Sequence, residues 1–255
     1  MKVGYVQFAP LFGDKKSNLE IIKCLVSSVQ ADMLVFPEMA TTGYMFQEKK
    51  ELLKLAEKVP NGFTCRQLHK VAKQTNTWIV IGLPEIENEE IFDTAVVISP
   101  EGFVAKHQKT HLFLKEFLFF KPGKTKPTLF QYENIKIGLG ICYDYMFPEY
   151  WRNLAFQGAD ILCNTANFVY DYGLFMMRAR AIENGVFTIT ANRIGEERGQ
   201  VFKGGSEIVD HRGKVLVRGS MQEEVCIVDI SPLQARNKKW NEFNDLFNDR
   251  RPLVY

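Results

Sequence analysis

Residues 135–149 read IKIGLGICYDYMFPE. Ile135, Ile137, Leu139 and Ile141 alternate with small or polar residues, the period of a strand with one buried face. At Cys142 the alternation stops, and Pro148-Glu149 opens an apolar-periodic run, with proline suited to a first helical turn. A strand that ends on a thiol ahead of a helix has two readings. A buried cysteine is often only a small apolar residue. A thiol at the mouth of a helix is expected to be made more acidic by the positive end of the helix dipole.

Working outward, the chain alternates strands and helices. Before this stretch the pattern predicts a strand over 3–10, a helix over 16–30 with Ser17 or Asn18 near its cap, and a strand over 32–38. A helix over 63–76 and three strands over 78–87, 91–100 and 103–109 follow. After it come a helix over 148–158, a strand over 159–167, a helix over 171–185 and strands near 186–194, 206–211, 214–219 and 224–230. A last helix is expected over 232–245. The segments QADMLVFPE (30–38) and GADILCNTA (158–166) echo each other, each following a helix with Ala-Asp and a buried strand. Two similar β-α-β halves, with helices covering two sheets, predict an α/β fold: a four-layer α-β-β-α sandwich of two pseudo-repeated halves. No linker-like stretch divides residues 1–255, so a single domain is expected.

Composition narrows the function. A chain of 255 residues that is 46% hydrophobic can bury a large core. Lysine and arginine number 32 against 30 acids, which leaves no phosphate-binding stripe and argues against nucleic acid as a partner. No apolar run suits a signal peptide or a membrane span, so no membrane is expected. The five cysteines, at 24, 65, 142, 163 and 226, are odd in number and unpaired in spacing, which fits a reducing cytoplasm better than a disulfide framework or a zinc site.

Three charged residues near apolar segments have ordinary explanations when taken singly. Glu38 ends an apolar run beside Pro37 and could turn to water; Lys109, at a strand end, could be a solvated edge charge. Glu116 is harder to dismiss, because it lies inside HLFLKEFLFF and an unpaired buried carboxylate is costly. Lys109 is its nearest plausible cation. Together with Cys142, two carboxylates and a lysine are the groups that run thiol chemistry without histidine: a carboxylate takes the thiol proton and the ammonium stabilises an oxyanion.

The ordered set FPEMATTGY (36–44), HQKTHLFLKEFLFFKPG (107–123) and GICYDYMFPE (140–149) resembles the nitrilase, or carbon-nitrogen hydrolase, superfamily, with short archaeal nitrilase-like amidases nearest in look. The likeness runs through GGSEIVDHRGKV (204–215) and so covers essentially the whole chain. The resemblance implies Glu38 as general base, Lys109 as oxyanion stabiliser, Glu116 as a second carboxylate that positions substrate, and Cys142 as nucleophile. It implies the backbone N–H of Tyr143 as the second oxyanion donor. The expected reaction is attack on a small linear amide or carbamoyl amine, loss of ammonia and hydrolysis of a thioester. True nitrilases of that superfamily typically carry Trp-Glu after the nucleophile, whereas Tyr143-Asp144 resembles its amidase branches; nitrile hydrolysis stays as the alternative, and a non-catalytic binding relative is disfavoured by the four intact residues.

Other motifs carry less. PGKT at 122–125 lacks the glycine that a phosphate loop needs at 118, where Leu118 stands. His107 and His111 share no nearby carboxylate in sequence, so packing or surface roles are expected, with no metal and no cofactor. Cys163, Met176 and Met177 are expected in the core. Adjacency to the motifs nominates Tyr44, Phe113, Phe117, Tyr145, Phe147, Asn167 and Phe168 as substrate-binding residues. The loop NTANFVYDYG (164–173) holds Asp171 and no arginine, so a neutral or cationic substrate is expected. Relatives in that superfamily pair through helices that include the one after the nucleophile, which implies a homodimer or higher homo-oligomer.

Overall fold

The computed structural model describes residues 1–254. In chain order the elements are β1 (Lys2–Gln7), α1 (Lys15–Ser27), β2 (Met33–Val35), α2 (Lys49–Leu53), α3 (Phe63–Thr75), β3 (Trp78–Glu87), β4 (Glu90–Ser99) and β5 (Gly102–Gln108). Then come β6 (Leu129–Tyr132), β7 (Ile135–Ile141), α4 (Pro148–Phe156), β8 (Ile161–Ala166), α5 (Tyr172–Asn184) and β9 (Phe187–Asn192). A hairpin of β10 (Ile194–Glu197) and β11 (Gln200–Lys203) precedes β12 (Glu207–Val209), β13 (Val215–Arg218) and β14 (Glu224–Asp229).

Two six-stranded sheets result, ordered β14-β1-β2-β3-β4-β5 and β6-β7-β8-β9-β12-β13. Read in that order, each sheet pairs its strands antiparallel, parallel, parallel, antiparallel, antiparallel. The two halves are therefore repeats in topology. The repeat is not contiguous in sequence, because β14 returns from the far end of the chain to pair with β1, Lys2 opposite Asp229.

The sheets pack face to face through Val3, Tyr5, Met33 and Val35 against Ile137, Leu139, Ile161 and Ile189. Cys163 lies in this inter-sheet core, as expected. On the outer face of the first sheet, Ile22, Val26, Leu68 and Val71 of α1 and α3 cover Leu34, Ile79 and Ile81. On the second, Trp151 and Leu154 of α4 and Leu174 and Met177 of α5 cover Ile141 and Leu162. Burial on both faces is why these strands read as nearly continuous apolar runs. Gly140 lets α4 come close, since a Cβ there would lie 2.2 Å from the Trp151 ring.

Two local expectations are corrected. The cap of α1 is Asp14, whose carboxylate accepts the Ser17 N–H at 3.1 Å; Asn18 instead is buried and bonds Leu11 and Thr41. The segment 232–245 forms only a 3-10 turn, Pro232–Arg236, and then turns in which Asn241 Oδ1 accepts the N–H groups of Phe243 and Asn244. Local side-chain acceptors of this kind compete with the helix. The region after β9 is broken into a hairpin that leaves the sheet, with Gly195 and Gly199 at positive φ.

Candidate active site

Carboxyl ends of strands in open α/β sheets collect ligand-facing groups, and β2, β5, β7 and β8 each deliver one here. Glu38 follows β2 on a segment strapped to β3, where the Gly82 N–H donates to Pro37 O at 3.1 Å and the Ala40 N–H to Gly82 O at 3.0 Å. Only glycine permits that approach: a Cβ at Gly82 would lie 2.6 Å from Glu38 Cα and 2.7 Å from Met39 N. Lys109 is the first residue past β5, its N–H donating to Asp93 O at 2.8 Å. Glu116 sits in the 3-10 turn Leu114–Leu118, and its Oε2 accepts the Phe113 N–H at 2.7 Å.

Cys142 follows β7 directly, at φ +41°, as the first residue of the 3-10 turn Cys142–Met146. A non-glycine residue in this region is strained, and a sharp strand-to-turn bend of this kind pushes a side chain out of the sheet. Asn167, the first residue past β8, donates from Nδ2 to Glu38 O at 2.9 Å, tying the two sheets together at the site.

Lys109 Nζ donates to Glu38 Oε1 at 2.6 Å and to Glu116 Oε1 at 2.7 Å. Tyr44 Oη donates to the same Glu116 oxygen at 2.6 Å. Glu38 and Lys109 are fully buried, and Cys142 is only 3% exposed. The structure thus brings Glu38, Lys109, Glu116 and Cys142 to one place. Burial opposes the charge on Lys109, but Glu116, Glu38 and Asp93 outweigh it and hold the ammonium well above the ordinary lysine range. Burial also raises Glu116, with Lys109 opposing.

The expectation of an acidified thiol is corrected. The helix α4 begins only at Pro148, so Cys142 does not sit at its mouth. Burial pushes the thiol well above its usual value, Glu38 and Glu116 add to the rise, and Lys109 and the Asn167 N–H oppose it. The site as folded therefore favours the thiol form of Cys142.

Two acids escaped the sequence reading. Asp93, on β4, is fully buried with Oδ2 3.4 Å from Lys109 Nζ. Its signal was present: a lone acid inside the apolar run IFDTAVV, the same anomaly that marked Glu116. One oxygen each from Glu38, Asp93 and Glu116 lies within 4.8 Å of the other two, a set that could hold a cation, and the Lys109 ammonium already reaches all three residues.

Asp144 is the second. Its Oδ1 accepts the His111 N–H at 3.1 Å and meets His111 Nδ1 at 2.8 Å, while Oδ2 accepts the Ile141 N–H at 3.0 Å and faces His107 Nε2 at 3.4 Å. The histidines that flank Lys109 therefore have a carboxylate after all, supplied by the Cys142 turn. Asp144 ties the Lys109 segment to the Cys142 turn. Burial works against its charge, but the bonds from His107 and His111 win and bring its carboxyl down to about 2.

A cavity of about 460 Å³ opens beside Glu116, walled by Tyr44, Phe46, Phe113, Phe119, Phe120 and Val169. Of the nominated residues, Tyr44 and Phe113 thus line this cavity. Phe117 does not line it and is 67% exposed. Tyr145 and Phe168 are buried and pack edge to face at 5.2 Å; Phe147 stacks on His111 at 3.6 Å. Asp171 does not line this cavity either, and pairs with Lys203 at 3.2 Å. Glu116 is the acid at the cavity, and the 164–173 loop brings Val169 to it rather than Asp171. Among the described residues no arginine lines it: Arg178 is bonded to Glu207, Arg180 to Glu183 and Arg193 to Glu197.

A sequence model of the carbon-nitrogen hydrolase family matches residues 2–239. A nitrilase of Pyrococcus abyssi is 39% identical, with 100% of this chain and 99% of that protein covered. An (R)-stereoselective amidase of Pseudomonas sp is 32% identical, covering 100% of this chain and 93% of that one. Among solved structures, a mutant amidase from Nesterenkonia sp. AN1 superposes with a TM-score of 0.80 at 25% identity, over 94% of this chain and 96% of that one. In that structure acrylamide has added to the active-site cysteine.

Proposed function

The chain belongs to the carbon-nitrogen hydrolase family, and from that premise we propose that it is an amidase which releases ammonia from small linear amides through a thioester on Cys142. The observation that carries this reading is the buried Lys109 ammonium, bonded at once to Glu38 and Glu116 and within electrostatic reach of the Cys142 thiol.

In this scheme Cys142 Sγ attacks the amide carbon as its proton passes to Glu38. The oxyanion meets Lys109 and the Tyr143 N–H, preorganised donors of the kind that stabilise such intermediates. Lysine has three N–H groups, so two bonds to carboxylates leave one for the oxyanion. Proton return to nitrogen expels ammonia. A water that gives its proton to Glu38 then cleaves the thioester and frees the acid. Glu116, held by Tyr44 and Phe113, fixes Lys109 and borders the cavity where substrate enters.

The apolar, aromatic walls of the cavity support a neutral substrate. A carboxylate-bearing amide finds no free guanidinium, and an amine-bearing one finds no free acid, since Glu116 is engaged. Nitrile hydrolysis is the second reading, favoured by the 39% identical nitrilase. Ammonia release across a panel of short amides, carbamoyl amines and nitriles tests both. Neutral amides should be turned over fastest; faster turnover of nitriles would replace the first reading with the second.

We read the chain as a single domain, with the return of β14 to the first sheet as support. The outer faces of α4 and α5 expose Phe156, Phe175 and Ile182, which supports a homodimer built on those helices. The five cysteines are all unpaired, which suits a reducing cytoplasm. Light scattering behind a sizing column tests the dimer.

A further inference from the structure

Asp93 has no part in the scheme above, yet it is buried at the centre of the cluster. Its carbonyl fixes the Lys109 backbone, and its Oδ2 stands 3.4 Å from Lys109 Nζ. Neither Asp93 oxygen has a hydrogen-bond partner, and neither does Glu38 Oε2, although all three are buried. Buried polar atoms left unpartnered are rare and costly. One proton placed between the two carboxyl groups satisfies an atom on each side.

The charge count points the same way. Glu38, Asp93 and Glu116 face a single ammonium, and one oxygen from each lies within 4.8 Å of the other two. Three ionised carboxylates packed so closely in a dry site, with a thiol beside them, are not stable together. Glu38 and Glu116 each have a short bond from Lys109, and Asp93 has none. Other charged groups near β4 are already engaged: Glu85 is bonded to Thr94 and Lys106, and His107 to Tyr150 and Asp144.

Resting on the assignment of Glu38 as base, we propose that Asp93 is a positioning residue, held as the neutral acid, that donates its O–H to Glu38 Oε2. That bond aims the Glu38 carboxylate toward Lys109 and Cys142 and keeps the cluster at one net negative charge. Burial and the neighbouring Glu38 favour the protonated form, with Lys109 opposing. When Asp93 loses its proton at high pH, the donor to Glu38 is lost and a second negative charge opposes formation of thiolate. Turnover then falls on the alkaline side.

Asp93→Asn and Asp93→Ala in the full chain test this. The alanine variant loses a donor to a charged group, which should lower kcat roughly 10- to 100-fold with little change in KM. Asparagine keeps an N–H donor that does not titrate, so it should recover most of that loss, and its alkaline limb should disappear. Independently of any substrate, the infrared spectrum of resting wild-type enzyme should show a protonated-carboxyl band that Asp93→Asn lacks. Thermal unfolding reports whether either variant fails to fold. Asp93→Asn as impaired as Asp93→Ala, an unmoved alkaline limb or an infrared band that survives the substitution would each overturn the proposal. If no amide is turned over at all, the infrared result decides the matter alone.

Discussion

Lys109 Nζ and Glu38 Oε1 meet at 2.6 Å with both side chains wholly withdrawn from water. Two charges brought into a dry interior repay their desolvation only through close geometry and further hydrogen bonds, and here Glu116 supplies one more. Such a pair is poor support for stability as an end in itself. Its place beside a buried cysteine at positive φ is what the proposed catalytic role explains and a stability role does not.

Removing the cation should therefore injure both fold and function. Lys109→Ala leaves Glu38 and Glu116 buried without their counter-ion, a change that costs about 3–5 kcal/mol in comparable sites. Loss of an oxyanion donor costs roughly 10²–10³ in turnover. Urea unfolding and kinetics at saturating substrate check the two effects separately. Turnover within about threefold of wild type, far short of that loss, would remove Lys109 from the oxyanion site.

Gly82→Ala tests how tightly the base is placed. The added Cβ would press on Glu38 Cα and Met39 N, which are backbone atoms and cannot swing aside. Overpacking of this kind costs about 1–3 kcal/mol. The Glu38 segment should shift, so kcat should fall at least about tenfold, as a small misplacement of a catalytic group does. A variant with unchanged kcat would show that the position of Glu38 tolerates movement.

Asp144 should make stability depend on acid pH. Its carboxyl is brought down from 3.8 to about 2, so the stabilisation is present above the unfolded value and fades as pH falls from about 4 toward 2. The shift corresponds to about 2 kcal/mol. Unfolding free energies of wild type and Asp144→Asn from urea titrations should differ by that amount near neutrality and converge at the acid end. Parallel curves across that window would mean that Asp144 is not held by His107 and His111.

Substrate charge offers a fourth check. With Asp171 paired to Lys203 and the cavity walled by aromatic rings, neutral amides should exceed both carboxylate-bearing and amine-bearing amides of equal length in kcat/KM. A preference for an anionic amide would direct attention to Lys115 at the cavity edge.

The sequence was most legible where chemistry and strand ends coincide. Glu38, Lys109, Glu116 and Cys142 stood out through the ordered family motifs, and of the charges only Glu116, set inside an apolar segment, resisted an ordinary reading when taken singly. Asp93 and Asp144 did not, since their meaning depends on neighbours far along the chain: Lys109 for the first, His107 and His111 for the second. The acidified thiol failed for a similar reason. Dipole reasoning needed α4 to begin at Cys142, and a 3-10 turn intervenes. In 232–245, where a helix was expected, Trp240 and Phe243 are substantially exposed and the asparagines build turns. The pairing of β14 with β1 has no local signal, because it joins the two ends of the chain.

The most direct measurement is mass spectrometry of enzyme quenched during turnover of a small neutral amide, with the modified peptide mapped. The acyl group should be found on Cys142 alone, and Cys142→Ala should fold normally, carry no adduct and release no ammonia. Cys163, sealed between the sheets with its thiol pushed well up by burial, should stay unmodified. An adduct on any other cysteine, or ammonia release by Cys142→Ala, would contradict the account.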